Sequence, residues 1–546
     1  MFLIECKNVK KYYSDRLIVE AANLCIYSED RIGIVGQNGA GKTTLMEILC
    51  RKLQPDEGFV KVHGSYNYIS QFNKDIPKNI DKSSAGKFGV NSSWNADMSG
   101  GEKTRFRIAE ILHKTSEIIF ADEPTSNLDI EGVALLEKRF AEYKGALVII
   151  SHDREFLDKL CNKILEIEHG KVKLFNGNYS DYKLQKEKER ERQQFEYEKY
   201  ESEKRKLEEA AQSLKSKSKT IKNAPSRMGN SEARLHKMGN QKAKANLDNS
   251  VKSFQSRLNQ LEKKEKPKSI SAIKLDIMDS EKVHGKIVIS GNRLNKAFES
   301  KVILSDAEFN IYNSSKTALL GPNGSGKSTL IRMILSENEG IRKSQGLKLG
   351  YFSQEMDILN SDKTIIENVM ESSIYDETFA RITLARLLFR GEDIYKKAGI
   401  LSGGERVKVS FAKMLLQDIN MLILDEPTNY LDLNSLEALE ETLKDYPGTL
   451  LFVSHDRRFI NSVADCIIEI ENKKLIVFKG SYQEYLNSKE KTASTNKENE
   501  IMLLENRLSN LISRLSLPDK NDSIAQLYRE YNEVLKQLQE LKKKSF

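Results

Sequence analysis

The sequence predicts an α/β protein in which one domain occurs twice, the two copies joined by a long antiparallel α-helical hairpin and followed by a C-terminal helical extension. Three observations predict it. Short motifs recur in the same order in both halves. In each half, short apolar runs end in polar motif residues, as buried parallel strands do. The residues between the halves, about 181–270, lack strand patterning but carry a heptad seam.

The repeat sets the domains. GQNGAGKTT at 36–44 returns as GPNGSGKST at 321–329, Gln71 as Gln354, and MSGGEK from 98 as LSGGER from 401. FADEPTSNLD from 120 returns as LDEPTNYLD from 424, and VIISHDREF from 148 as LFVSHDRRF from 451. The offset is 285 between Lys42 and Lys327, 283 between Gln71 and Gln354, and 303 for every later motif. The difference falls between the glutamine and the serine of SGGE, 28 residues in the first copy and 48 in the second, so the first copy carries a shortened insertion. The expected boundaries are 1–180 and 271–488 for the two copies, 181–270 for the arm with its tip at about 218–240, and 489–546 for the extension.

Within the first copy, Arg31 to Val35 alternates around Ile32 and Ile34, as a strand does, and runs into a Gly-rich turn and a helix from Lys42. EIIFAD and ALVIIS, with MLILD and TLLFVS in the second copy, read as buried parallel strands. Ligands bind at the carboxyl ends of such strands, which is where the motif residues fall.

GxxxxGK[ST] needs its glycines so that backbone N–H groups can curl around phosphates at a helix N-terminus. Lys42 or Lys327 supplies charge for the β and γ phosphates, and Thr43 or Ser328 a hydroxyl for Mg²⁺. Two matches, each after a strand and opening a helix, favour nucleotide binding over a plain glycine turn. Asp122 and Asp425 end apolar strands and suit the Mg²⁺ shell; Glu123 and Glu426 follow at once and can orient or deprotonate a water at the γ phosphate. His152 and His455 stand 29 residues after each glutamate, an identity of spacing that favours a γ-phosphate contact over a core or capping role.

This motif set resembles the ATP-binding cassette superfamily, in which SGGE is the signature. The resemblance implies two cassettes closed head to tail, each ATP between the phosphate loop of one and the signature of the other. One site then combines Gly36, Asn38, Gly39, Gly41, Lys42, Thr43, Thr44 and Gln71 with Ser402, Gly403 and Gly404. The other combines Gly321, Asn323, Gly324, Gly326, Lys327, Ser328, Thr329 and Gln354 with Ser99, Gly100 and Gly101. It also gives Mg²⁺ to Thr43, Gln71 and Asp122 and to Ser328, Gln354 and Asp425, and catalysis to Glu123 with His152 and Glu426 with His455. Tyr13 and Phe298 fall where the family stacks a ring on adenine, against the ordinary reading of such an aromatic as core. Neither site is degenerate, so both are expected to hydrolyse ATP. One chain supplies both cassettes, so a monomer is expected.

In the arm, Leu247, Val251, Phe254, Leu258 and Leu261 form an a/d seam, with Tyr200, Leu207, Ala210, Ala211 and Leu214 as the facing stripe. A hairpin of some 35 residues per helix would reach roughly 50 Å. Charge gathers at its end: nine Lys/Arg against Glu232 alone between Ala211 and Leu247, a balance equal to the +8 of the whole chain. Acids mixed into the base of the arm disappear toward the tip, which suits insertion among phosphates better than a solvated face does. The tip TIKNAPSRMGNSEARLHKMGNQ has no aromatic residue for base stacking, so backbone and shape contacts with structured RNA are expected. The candidate contacts are Lys215, Lys217, Lys219, Lys222, Arg227, Met228, Arg234, Leu235, His236 and Lys237.

Two cassettes, a charged helical linker and DEPTNYLD close to DEPTNHLD resemble the ABC-F subfamily of cytosolic ribosome-acting ATPases. The long linker, the short first insertion and the C-terminal extension look most like the Vga-type antibiotic resistance proteins. That resemblance implies entry into the exit site of the 70S ribosome in the ATP state, contact with 23S rRNA and the peptidyl-site tRNA, and displacement of peptidyl-transferase drugs of the lincosamide, streptogramin A and pleuromutilin type. Gln71 to Ser99 has no room for the arm of the translation-throttle members. The sequence departs from the family in DEPTSNLD of the first copy and in Tyr430, which stands at a histidine position in the second.

Two alternatives stay open: a general ABC-F translation factor relieving stalled ribosomes, and the ATPase subunit of a membrane transporter. No apolar run approaches the roughly 18–20 residues of a membrane span, and the start lacks a signal-peptide pattern, so a cytoplasmic protein without a membrane is expected. Cys6, Cys25, Cys50, Cys161 and Cys466 are scattered without CxxC, which suggests neither disulfides nor zinc and, with the modest arm, argues against a DNA-repair ATPase. After KEKTASTNKENE, apolar spacing at Leu503, Leu504, Leu508, Leu511 and Leu515 and again from Ile524 to Leu541 predicts a helical pair.

Overall fold

The structure is a computed structural model. It describes residues 1–70, 80–95, 98, 100–220, 230–264, 285–298, 301–336, 338–353, 358–429, 431–491, 504, 507–508, 511 and 524–543. Two compact units emerge: one comprises Met1–Leu160, Glu166–Lys173 and Ile273–Phe546, the other Cys161–Leu165 and Leu174–Ala272.

The first cassette begins with long antiparallel strands β1 (Phe2–Tyr13) and β2 (Arg16–Tyr27), followed by β3 (Arg31–Gly36), helix α1 (Lys42–Leu49), β4 (Glu57–Val62) and β5 (Tyr66–Ile69). Then come α2 (Lys82–Phe88), α3 (Gly100–His113), β6 (Ile118–Asp122), α4 (Ile130–Glu142), β7 (Ala146–Ile150), α5 (Arg154–Leu160), β8 (Lys163–Glu168) and β9 (Lys171–Asn176). Their nine-stranded sheet has the order β4-β1-β2-β9-β8-β3-β7-β6-β5. Strands β3, β7, β6 and β5 pair in parallel. Every residue of β6 and β7 is buried, as continuous apolar strands covered on both faces require. Because these strands run the same way, their carboxyl ends bring the phosphate loop, Asp122 and His152 to one edge.

The second cassette repeats the plan. Strands β10 (Ile287–Phe298), β11 (Lys301–Tyr312) and β13 (Ile341–Lys343) form an antiparallel sheet. Strands β14 (Leu349–Phe352), β15 (Met421–Asp425), β16 (Thr449–Val453), β12 (Lys316–Leu320), β17 (Cys466–Glu471) and β18 (Lys474–Lys479) follow in that order in a six-stranded sheet, parallel except for β18. The phosphate-loop helix is α8 (Lys327–Leu335), and α11 (Gly403–Leu415), α12 (Leu433–Asp445) and α13 (Arg457–Val463) match α3, α4 and α5. The longer insertion holds α9 (Ile365–Met370), α10 (Glu377–Arg386) and two 3₁₀ turns, packed on one core with α11 and α12, whereas the first insertion shows α2 among its described residues.

In the other unit, α6 (Tyr179–Thr220) and α7 (Asn230–Gln260) form the expected hairpin. Ser218 donates to Asp248 Oδ1 at 2.7 Å, while Leu207 and Ala211 share a crevice with Val251, Phe254 and Leu258. Contacts rising along one helix and falling along the other make the pair antiparallel, with the predicted seam inside. At 42 residues, α6 is longer than expected and spans about 63 Å. At the C-terminus Leu504, Leu508 and Leu511 pack on Leu527 and Val534 of α14 (Ile524–Lys543). Leu503 and Leu515 lie outside the described residues.

Candidate functional site

Each phosphate loop is shaped by glycines in conformations that L side chains avoid. Gly39 and Gly41 have φ of 74° and 100°, and Gly324 and Gly326 have 75° and 109°. A Cβ on Gly41 would lie 2.8 Å from Ile18 Cγ2, and one on Gly326 2.3 Å from Ile303 Cγ2, so the helix start nests against the β1–β2 or β10–β11 hairpin. Gly39, by contrast, faces open space, the room a phosphate needs. Tyr13 and Phe298 stand at the turns of these same hairpins with 52% and 53% of their surface exposed, available for ring stacking and not part of the core.

Lys42 Nζ donates to the carbonyls of Gly36 (2.9 Å) and Gln37 (3.2 Å), and Lys327 Nζ to those of Gly321 (2.8 Å) and Pro322 (3.1 Å). Burial lowers both lysine pKa values, opposed by nearby carboxylates. Thr43 Oγ1 donates to Asp122 Oδ2 at 3.0 Å, and Ser328 hydrogen-bonds Asp425. A hydroxyl beside a carboxylate is an oxygen donor set that fits Mg²⁺. Thr44 and Thr329 occupy the first turns of α1 and α8.

Glu123 and Glu426 both take left-handed backbone, φ 50° and 51°, a strained state for a non-glycine residue that recurs at the same place in both cassettes. Burial pushes Glu123 up to about 8 and Glu426 to about 7. Nε2 of His152 lies 3.4 Å from Glu123 Oε1, and Nε2 of His455 3.2 Å from Glu426 Oε1. Burial, helped by Lys42 and Lys327, holds the histidines down at about 3 and about 4, so they are neutral at physiological pH. Glu123 Oε1 and His152 Nδ1 are buried without a hydrogen-bond partner among the described residues, which leaves polar capacity for a ligand.

Ser402 caps α11 in a reciprocal capping box with Glu405, which sets Gly403 and Gly404 in the first turn; a Cβ on Gly403 would meet open space. In the first cassette Gly100 and Gly101 open α3, while Ser99 lies outside the described residues, as do Gln71, Gln354 and Tyr430. The cassettes meet head to tail. Asn323 N donates to Asp129 Oδ2 (3.1 Å), Asn323 Nδ2 to the Asn127 carbonyl (3.0 Å), and a Cβ on Gly101 would lie 2.9 Å from Asn323 Nδ2. At the other loop Asn38 N donates to Asp432 Oδ2 at 3.3 Å. Gly101 and the second phosphate loop are thus brought together.

The sequence reading missed Asp129 and Asp432, each of which caps α4 or α12 through Oδ1 and reaches the opposite loop through Oδ2. It also missed Arg154 and Arg457. Both pairs recur at the 303 offset inside motifs already noticed, which is the signal that marks them.

On the arm, Lys215, Lys217 and Lys219 are exposed on the last turns of α6. Lys222, Arg227 and Met228 lie outside the described residues, and Arg234, Leu235, His236 and Lys237 fall in the first turns of α7.

Two family models described as ABC transporter match the chain, one over residues 19–84 and 304–429, the other over 165–246. Among the described residues no helix is long and apolar enough to cross a membrane. The chain is 33% identical over 472 residues to the erythromycin resistance ATP-binding protein MsrA of Staphylococcus epidermidis, covering 85% of this chain and 96% of MsrA. It is 31% identical over 558 residues to the ribosome protection protein VmlR of Bacillus subtilis (strain 168), covering 99% of this chain and 98% of VmlR. An archaeal ribosome recycling factor, solved with a ribosomal stalk protein, shares the fold with a TM-score of 0.59 at 18% identity over 88% of this chain and 92% of its own. Tandem cassettes, paired head-to-tail loops and these full-length relatives place the chain in the ABC-F family of ATP-binding cassette ATPases.

Proposed function

We propose that this ATPase is a cytoplasmic ribosome protection factor that enters the ribosomal exit site when ATP closes its cassettes. There its arm reaches 23S rRNA and the peptidyl-site tRNA and relieves inhibition by peptidyl-transferase drugs of the lincosamide, streptogramin A and pleuromutilin type. The observation that carries it is the 31% identity along 99% of the chain to a ribosome protection protein, supported by the basic end of this chain's own helical arm. In this reading the arm comprises about 181–270, flanked by cassettes at 1–180 and 271–488, with 489–546 as the extension. Thr43 with Asp122 and Ser328 with Asp425 hold Mg²⁺, joined by Gln71 and Gln354; the ion, when bound, neutralises phosphate charge. Glu123 and Glu426 receive the proton of the attacking water, and His152 and His455 hydrogen-bond the γ phosphate as neutral donors.

The test is a Glu123→Gln/Glu426→Gln double variant. With ATP it is expected to lose at least about 100-fold in turnover and to co-sediment with 70S ribosomes; recovery only with membranes would sink the proposal. In a susceptible host the parent raises drug tolerance, and deletion of residues 221–238 abolishes that gain. A second reading, a general translation factor, is favoured by 27% identity over 89% of the chain to the translational throttle protein EttA of Mycobacterium tuberculosis. It takes over if ribosomes bind but tolerance does not change.

A further inference from the structure

Arg154 is only 1% exposed, yet no step assigned to the ATP sites uses it. It opens α5, two residues after His152, and its guanidinium pairs with Glu440 of the second cassette, with Asp456 at 3.7 Å and Glu437 at 4.0 Å. Arg457, two residues after His455, pairs with Glu137 of the first cassette, with Glu155 at 3.5 Å and Asp153 at 4.0 Å. Each arginine thus reaches three carboxylates across the interface, among them a glutamate on the long helix of the other cassette and the aspartate beside the other arginine. Arg154 and Arg457, Glu440 and Glu137, and Asp456 and Asp153 correspond at an offset of 303, whereas Glu437 and Glu155 stand opposite Ala134 and Arg458, so the shared part of the arrangement is one arginine, one helix glutamate and one aspartate per side.

The helices receiving the arginines are already fixed at the opposite cassette's phosphate loop. Asp432, the cap of α12, accepts from Asn38, and Glu440 lies two turns further along the same helix. Hence α12 touches the first site at two points, the phosphate loop through Asp432 and the histidine strand end through Arg154. Helix α4 does the same for the second site through Asp129 with Asn323 and Glu137 with Arg457. A rigid helix held at two points of a catalytic edge fixes the distance between them. Each of these helices also begins seven residues after the catalytic glutamate of its own cassette, so it belongs by chain to one site and by contact to the other.

We propose that Arg154 and Arg457 are positioning residues for ATP hydrolysis: each aligns the histidine and glutamate of its own site against the phosphate loop by bracing them on the helix of the opposite cassette. Arg154 serves the site of Glu123 and His152; Arg457 serves the site of Glu426 and His455. The proposal rests on the two-site ATPase reading, and it makes the two sites mechanically interdependent.

The test uses full-length chains in which one site is disabled. In a Glu426→Gln background, where the first site carries turnover, Arg154→Gln is expected to lower kcat about tenfold more than Arg457→Gln does, with KM for ATP changed less than about threefold. In a Glu123→Gln background the order reverses. Glu440→Gln reproduces Arg154→Gln from the other side of the interface and carries the same test if the arginine variant does not fold. Arg154→Lys, which keeps the charge but not the fork, recovers part of the rate. Equal losses from both arginines in either background, or losses that appear in KM and not in kcat, would overturn the proposal. If neither Glu123→Gln nor Glu426→Gln lowers the turnover of the parent, the two-site reading itself fails, and this proposal with it.

Discussion

At the scale of single residues, neighbouring glycines do different work. Gly39→Ala would add a methyl in open space, so its cost to stability is the left-handed backbone alone, about 1–2 kcal/mol. That methyl occupies the room for phosphate, so ATP affinity is expected to fall at least about tenfold. Gly41→Ala adds the contact with Ile18 to the same backbone cost and is expected to lower Tm further. Thermal unfolding without nucleotide beside an ATP-binding titration separates the two; equal Tm losses would show the Ile18 contact to be harmless. A second residue-scale prediction concerns Asp153. Burial, reinforced by Asp456 and Glu137 and opposed by Arg457, raises it to about 7. A carboxyl raised in the folded state contributes stability that is present at low pH and is lost as pH rises through that value. Asp153→Asn keeps the cap on Phe156 N but does not titrate. The Tm of the variant relative to the parent is therefore expected to rise by at least about 2 °C between pH 5 and pH 8; a constant difference would mean the carboxyl titrates normally.

At the scale of elements, the arm helices show how little apolar surface holds a long hairpin. Of the seam, Val251 is buried, Phe254 and Leu258 half so, and α6 is polar around most of its circumference. Such a pair depends on each seam contact, and the hydrogen bond from buried Ser218 to exposed Asp248 adds register. Val251→Asp, which places a charge in the seam, is expected to speed hydrogen exchange in 207–219 and 247–258 while ATPase kcat stays within about twofold of the parent. Protection unchanged in both segments would show that the seam does not hold the helices. The capping boxes at Thr364 and Ser402 illustrate the opposite economy, in which side chains three residues apart end a loop and aim a helix start without any core.

At the scale of the whole molecule, charge is divided by function. The arm end carries as much net positive charge as the entire chain, so the rest is neutral overall. Affinity of the Glu123→Gln/Glu426→Gln variant for ribosomes in ATP is therefore expected to fall steeply with salt. Deleting residues 221–238 removes Lys222, Arg227, Arg234 and Lys237, which should flatten the log–log salt slope by about 2–4. An unchanged slope would mean that other surfaces carry the electrostatic contact.

The sequence by itself determined the duplication, the strand-end placement of the phosphate loops, carboxylates and histidines, and the heptad seam, because each is written in local spacing. Strand alternation placed Arg31 to Val35, which lies within the observed Arg31–Gly36, and identical 29-residue intervals singled out both histidines. What only the tertiary structure decided lies across the interface. That Asp129 reaches Asn323, that Arg154 is buried against Glu440, and that Asp153, raised by burial, is raised further by its counterpart Asp456 depend on residues about 190 to 300 positions apart in the chain. No local pattern encodes such pairings, since they exist only once two folded cassettes present their surfaces to each other. The left-handed backbone of Glu123 and Glu426 belongs with them, because a strained conformation persists only where the surrounding fold imposes it.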